Sequence, residues 1–246
     1  TQPAPHTMLT PLEAIAARHS VRHYRPEPLT AQHRAALLAE VDECNRLSGL
    51  HIQLVTDEPH CFHNWKTYGS FSGVRHYLVM AGRKEAGLDE RVGYYGERLV
   101  IFMQQHGISS CWAGVSYRKV AGTFTLLPGE KVVCMIALGY DAGRPPHKHG
   151  RRSVQQVSNA DAATPAWLER GVQAALLAPT AVNQQKFYLA YRGLGTDGRH
   201  RIEALRRFSW VGYTRVDIGI VKFHFETATA PHRIAWESDP HHKPAE

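Results

Sequence analysis

Apolar positions along the chain recur at helical or at strand spacing, and the changes of period mark its elements. From Pro11 to Arg18, Leu12, Ile15 and Ala16 share one face, which predicts a short helix capped by Thr10 ahead of a proline at the first helical position. An extended segment follows. Thr30 then caps a longer helix with an apolar stripe of Leu37, Leu38, Val41 and Cys44, and Gly49 stops it in a left-handed turn. His51 to Val55 alternates as a strand, and beyond a polar loop with Pro59 and Gly69 the run His76 to Met80 predicts a buried strand. Residues 88–106 give the clearest helix, because Leu88, Val92, Tyr95, Leu99 and Phe102 recur at spacings of four and three. Gly93 and Gly96 lie inside it at a cost of roughly 1 kcal/mol each relative to alanine, which points to close packing of another helix or of a ligand.

The pattern continues with a strand from Ile108 to Val115, a short helix from Tyr117 to Thr125 and an apolar strand from Lys131 to Leu138. Gly139 to Thr164 is a polar connection with glycines and prolines, and it is the best candidate boundary. Beyond it the chain predicts a helix from Pro165 to Leu177, a strand from Phe187 to Tyr191 and an amphipathic segment from Val216 to Thr227. This order echoes the first part: a helix with Leu-Leu-Ala (Leu37 to Ala39, then Leu176 to Ala178), a loop, a strand, and a helix with an internal glycine (Gly96, then Gly219). The expected division is a first half over residues 1–160, a shorter second half over 161–230, and a polar tail over 231–246 that includes His241 and His242.

With 246 residues and 43% hydrophobic content, the chain can bury a sizeable core. It has no apolar run of bilayer-spanning length, and the start, with Pro3, Pro5 and His6, lacks the apolar stretch of a signal peptide, so a cytoplasmic protein with no membrane partner is expected. Four cysteines (Cys44, Cys61, Cys111, Cys134) stand far apart and suggest reduced thiols, not a disulfide framework. The net charge of +7 raises the possibility of nucleic acid. Its scatter along the chain, without an aromatic-interleaved basic strand or a recognition helix, argues against that partner. Asp57, Glu58, His60 and His63 have no fixed ligand spacing, so no metal is expected there.

Candidate chemistry lies in separated segments. Arg18, Ser20 and Arg22 alternate, so in an extended segment they project to one side and present two permanent cations with a hydroxyl between them. That set suits an anion; ordinary salt bridges at a helix end are the other reading. Pro179-Thr180-Ala181-Val182-Asn183 ends a helix and offers a hydroxyl and a carboxamide, which fit either a polar ligand or a local turn. Gly107-Ile108-Ser109-Ser110-Cys111-Trp112-Ala113-Gly114 carries small residues that would let another group approach its backbone. Lys148, His149, Arg151 and Arg152 form the one basic cluster. No Gly-x-Ser-x-Gly elbow, Walker loop or dinucleotide fingerprint occurs, and no catalytic acid or base is singled out.

These segments, in this order, resemble the nitroreductase family over residues 10–228. In that family an Arg-x-Ser-x-Arg segment of one subunit and a Pro-Ser-x-x-Asn segment of the partner close around the same FMN. A Gly-Leu-Gly-x-x-Cys-Trp-x-Gly run brings its backbone to the flavin ring. The family motif that follows the Asn has a proline where this chain has Lys186. The resemblance is closest to a subgroup in which one chain holds two half-copies, for which Tyr68 to Val74, Gly93 to Glu97 and Ala174 to Thr180 look characteristic. It implies an α+β fold with a central, mainly antiparallel sheet flanked by helices, the two half-copies forming an internal pseudo-dimer with one complete site per chain.

The resemblance further implies FMN held by Arg18, Ser20, Arg22, Trp112, Ala113, Gly114, Lys148, Arg151, Pro179, Thr180 and Asn183. NAD(P)H, the transient reductant, would pass hydride to the flavin and be replaced by a nitroaromatic, quinone or activated-alkene acceptor in a ping-pong route. The chain's partner would then be a small-molecule electron acceptor, and a monomer would suffice. An FMN-binding protein without turnover, acting as carrier, sensor or partner module, is the alternative.

Overall fold

A reciprocal cap starts the first element: the Glu13 amide donates to the Thr10 hydroxyl at 3.3 Å, and the Thr10 amide donates to the Glu13 carboxylate at 2.7 Å. This cap opens helix α1 (Pro11–Ala17) in the computed structural model, which describes residues 8–63, 71–145 and 150–237. The Thr30 hydroxyl accepts the His33 amide at 3.1 Å to open α2 (Ala31–Ser48), and Gly49 ends it at φ 68°. Leu37, Val41 and Cys44 form its buried stripe, with Leu38 half-buried beside them.

The first sheet joins β1 (Gln53–Val55), β2 (His76–Arg83), β3 (Ser109–Ala113) and β4 (Glu130–Gly139) in the order β1-β2-β4-β3, antiparallel throughout. Alternate residues of its two central strands enter different cores. Leu78, Met80, Cys134, Ile136 and Leu138 face α2 and α3 (Leu88–Gln105), whereas Tyr77, Val79, Ala81, Met135 and Ala137 face the opposite side. Both faces are therefore covered, which explains why these strands read as apolar runs.

Past the connection come α4 (Val154–Val157) and α5 (Ala166–Ala175), then β5 (Phe187–Leu194), β6 (His200–Arg206), α6 (Thr214–Thr229) and β7 (Ile234–Glu237). The last three strands form a second sheet, β5 antiparallel to β6 and β6 parallel to β7, packed against α5 and α6. The architecture is the expected α+β arrangement of antiparallel sheet flanked by helices. Among the described residues no helix is long and apolar enough to cross a membrane.

Three local expectations change. Residues 117–125 form a loop, not a helix: Tyr117, Val120 and Phe124 pack onto the first sheet at helix-like spacing, but the Arg118 amide donates to the Cys61 carbonyl and Gly122 takes φ 79°. Strand β6 was hidden by its charged outward side chains, although Ile202 and Ala204 are buried. Residues 234–237, within the polar tail, pair with β6. Residues 238–246, with His241 and His242, lie outside the described residues, as do 64–70 of the first loop.

Helices α3 and α6 cross at their glycines. A methyl group at Gly93 would overlap the Val216 carbonyl oxygen and come 3.1 Å from the Gly219 Cα. One at Gly219 would overlap the Glu90 carbonyl oxygen and come 2.6 Å from the Tyr94 amide nitrogen. Each glycine thus meets the carbonyl three residues before the other, a reciprocal contact of the kind found across a twofold axis. Gly96 serves a different purpose, making room for the Trp112 ring. The counterpart of Gly219 at this crossing is Gly93, not Gly96.

Candidate functional site

Beyond α1 the chain runs extended along the edge of β3. Ser20 bridges Ser110, the Val21 amide donates to the Ser110 carbonyl at 3.1 Å, and the Ser72 amide donates to the Arg22 carbonyl at 2.9 Å. Val21 turns into the core, while Arg18, Ser20 and Arg22 are half-buried. His19 and His23 are half-buried as well, so burial does not alternate strictly along the strap. Buried Tyr24 anchors the strap by donating its hydroxyl to the Val21 carbonyl at 2.6 Å.

Arg18 reaches from this strap to the second half, where its Nη2 donates to the Leu177 carbonyl at 3.4 Å, two residues before Pro179. Its Nε stands 3.9 Å from the Glu97 carboxylate and makes no hydrogen bond, and Nη1 has no partner among the described residues. Among the same residues Arg22 has no carboxylate within ion-pair distance. Among the described residues, the strap thus presents cationic groups without an acidic partner at Arg22 and at Arg18 Nη1.

The turn after Pro179 is strained and heavily braced. Val182, Asn183 and Gln185 take φ of 45°, 54° and 46°, and Val182 is a β-branched residue, for which this region is unfavourable. The Thr180 hydroxyl accepts the Gln185 amide at 3.0 Å, so Thr180 serves the local turn. Asn183 Nδ2 donates to the Gly150 carbonyl at 2.8 Å and its Oδ1 accepts Gln185 Nε2 at 3.1 Å. Gln185 Oε1 accepts the Arg152 amide at 2.9 Å. These bonds hold the segment before and after Arg151 against the turn; Lys148 and His149 lie outside the described residues.

Asp217, at the start of α6, braces the same turn: it accepts the Ala181 amide at 2.9 Å and Gln184 Nε2 at 2.7 Å. Burial pushes its carboxyl up to about 6, against the two hydrogen bonds that favour the charged form. Because the folded pKa exceeds the ordinary 3.8, the native state binds more protons than the unfolded chain between these values. Stability from this group therefore falls as pH rises through that window, by roughly 3 kcal/mol. Replacing Asp217→Asn should remove this slope, so that urea unfolding shows the wild type losing ground to the variant between pH 4 and pH 7; parallel pH curves would refute it.

On β3 the Trp112 ring turns into α3, where Nε1 donates to Glu97 at 2.9 Å. Ala113 is buried. Gly114 was expected to leave its backbone open to a ring, but the space beside it is filled by Tyr213, whose hydroxyl donates to the Gly114 carbonyl at 2.7 Å. Tyr213 adjoins Gly212, whose carbonyl accepts Gln184 Nε2 at 3.0 Å. A continuous set of contacts therefore joins the basic loop, the Pro179–Asn183 turn, the start of α6 and the end of β3. Among the described residues, neither Ser20 nor Arg22 hydrogen-bonds that turn directly.

Sequence reasoning missed Glu97, His224, Asp217 and Tyr213. The visible signal was a charged or polar residue on the buried face of an amphipathic helix: Glu97 beside Gly93 and Gly96 on α3, and Asp217 and His224 on α6. All four cysteines are free and buried; burial raises the Cys111 thiol, consistent with packing and not nucleophilic chemistry.

The fold is thus an antiparallel sheet flanked by helices, with a cationic strap after α1 and a braced polar turn after α5. The family described as "Putative TM nitroreductase" matches residues 11–229, and the chain belongs to this family, among the oxidoreductases. Of solved structures, a "putative nitroreductase" from Thermotoga maritima is similar at 22% identity and a TM-score of 0.59, over 93% of this chain and 87% of that one. A nitroreductase with bound FMN from Bacteroides fragilis is similar at 17% identity and a TM-score of 0.48, over 62% of this chain and 100% of that one. No curated protein matches the chain.

Proposed function

We propose that the chain is an FMN-dependent oxidoreductase that passes hydride from NAD(P)H to a nitroaromatic, quinone or activated-alkene acceptor by a ping-pong route. The observation that carries this reading is Arg18: placed just after α1, it donates to the Leu177 carbonyl, and among the described residues its Nη1 has no partner, which leaves it for an anion. Family membership supplies the class of chemistry. FMN, when bound, supplies the hydride-accepting and hydride-donating centre.

The residues fit such a cofactor. Arg18 and Arg22 are cations suited to its phosphate or to the edge of the ring that becomes negative on reduction. Arg151, with Lys148, His149 or Arg152, would add charge for the phosphate. The Ala113 backbone would lie against the ring, with Tyr213 occupying the space beside Gly114, and the turn from Pro179 to Asn183 would close the pocket. The halves 1–160 and 161–230 would then form an internal pseudo-dimer, a reading supported by the reciprocal glycine contact of α3 and α6.

Reconstitution with FMN tests this reading. The purified protein should show oxidised-flavin absorption that NAD(P)H bleaches and menadione or a nitro compound restores. Failure to take up flavin overturns the proposal; uptake without bleaching and recovery leaves a flavin-binding protein without turnover. Arg22→Ala removes charge-assisted hydrogen bonds worth about 1.5–3 kcal/mol and should weaken FMN binding roughly 10- to 100-fold in a fluorescence-quenching titration. Unchanged affinity would remove Arg22 from the site.

A further inference from the structure

Glu97 is a fully buried carboxylate at the junction of five elements. Its Oε2 accepts the Trp112 indole N–H of β3 at 2.9 Å, and its Oε1 lies 2.8 Å from His224 Nε2 of α6. His224 is also fully buried, and its Nδ1 lies 3.0 Å from the Ala174 carbonyl of α5. A carbonyl only accepts, so Nδ1 carries a proton. Oε2 already accepts from the indole, so a single proton lies between Oε1 and Nε2, and the pair is neutral overall whichever partner holds it.

Arg18 stands at the edge of this pair, with only 11% of its side chain exposed. Its Nε faces Glu97 Oε1 at 3.9 Å and its Nη2 faces the Leu177 carbonyl at 3.4 Å. Nε and Nη2 form one side of the rigid guanidinium fork, so with that side held by the protein, Nη1 and the outer N–H of Nη2 remain for an anion. A buried arginine with no hydrogen bond at Nε is held in place by the partial negative charge of the Glu97 oxygen that faces it and by one long bond.

We infer that Glu97 is a positioning residue for Arg18: with His224 it aims the guanidinium at the bound cofactor, and it acts on FMN affinity only through Arg18. This rests on the FMN reading above. Glu97→Gln isolates the effect, because the Gln oxygen can still accept the Trp112 N–H and its amide can donate to a neutral His224, which keeps both hydrogen bonds while removing the carboxylate oxygen that faces Arg18 Nε.

The test is a double-mutant cycle on full-length protein, read as the FMN dissociation constant by fluorescence quenching, with thermal unfolding of each cofactor-free variant alongside. Glu97→Gln should weaken FMN binding about tenfold. Arg18→Ala should weaken it at least as much, and the double variant should match Arg18→Ala alone. Tighter or unchanged binding by Glu97→Gln, or losses that add in the double variant, overturns the inference while leaving the flavin reading standing. No FMN binding by the wild type overturns both. If Glu97→Gln falls markedly in melting temperature, Arg18→Lys supplies the second arm: it keeps the charge without the fork and should weaken FMN binding nearly as much as Arg18→Ala, whereas wild-type affinity would show that aim is irrelevant.

Discussion

Gly93→Ala should lower the melting temperature by roughly 6–12 °C, corresponding to about 3 kcal/mol in a protein of this size. Alanine is the better helix former by about 1 kcal/mol, so on an isolated helix the change would stabilise. Here the added methyl would overlap the Val216 carbonyl oxygen, a backbone atom of α6 that can move only with the whole helix. Overpacking wins because the clash involves backbone on both sides. Gly219→Ala should cost a similar amount, through the Glu90 carbonyl. Gly49→Ala is the control: its methyl meets nothing within 4 Å, and its cost comes only from the left-handed φ of 68°. Urea unfolding that ranks Gly93→Ala no worse than Gly49→Ala would contradict the helix crossing described above.

Glu97→Ala should be the most damaging polar substitution, at about 3–5 kcal/mol by chemical unfolding. It strands the Trp112 indole N–H and His224 Nε2 in the interior and leaves Arg18 beside a void. Glu97→Gln, which satisfies the first two groups, should retain most of the stability. The contrast separates loss of the two hydrogen bonds from loss of the carboxylate oxygen facing Arg18, and equal destabilisation by Ala and Gln would contradict the hydrogen-bonding role.

The helices were legible because their signals are local: Thr10 and Glu13 cap one another, Thr30 and Gly49 bracket α2, and the stripe of α3 repeats over four turns. Strands β2 and β4 showed as apolar runs because both faces are covered. Loop 117–125 copied helical spacing by laying three side chains on a sheet, and β6 alternated too faintly among its arginines. Within the site, the strap and the Pro179–Asn183 turn could be read as segments. Their connections could not. Tyr213 fills the space beside Gly114 from 99 residues away, and Glu97 meets His224 across 127 residues. Periodicity tells which face of a helix is buried but not what that face will meet, so Asn183 could be recognised as polar without its hold on Gly150 being foreseen.

The bond from Arg18 to the Leu177 carbonyl joins two points of one polypeptide, so its formation is a first-order event. Dilution does not pull these two segments apart, as it would across a subunit boundary.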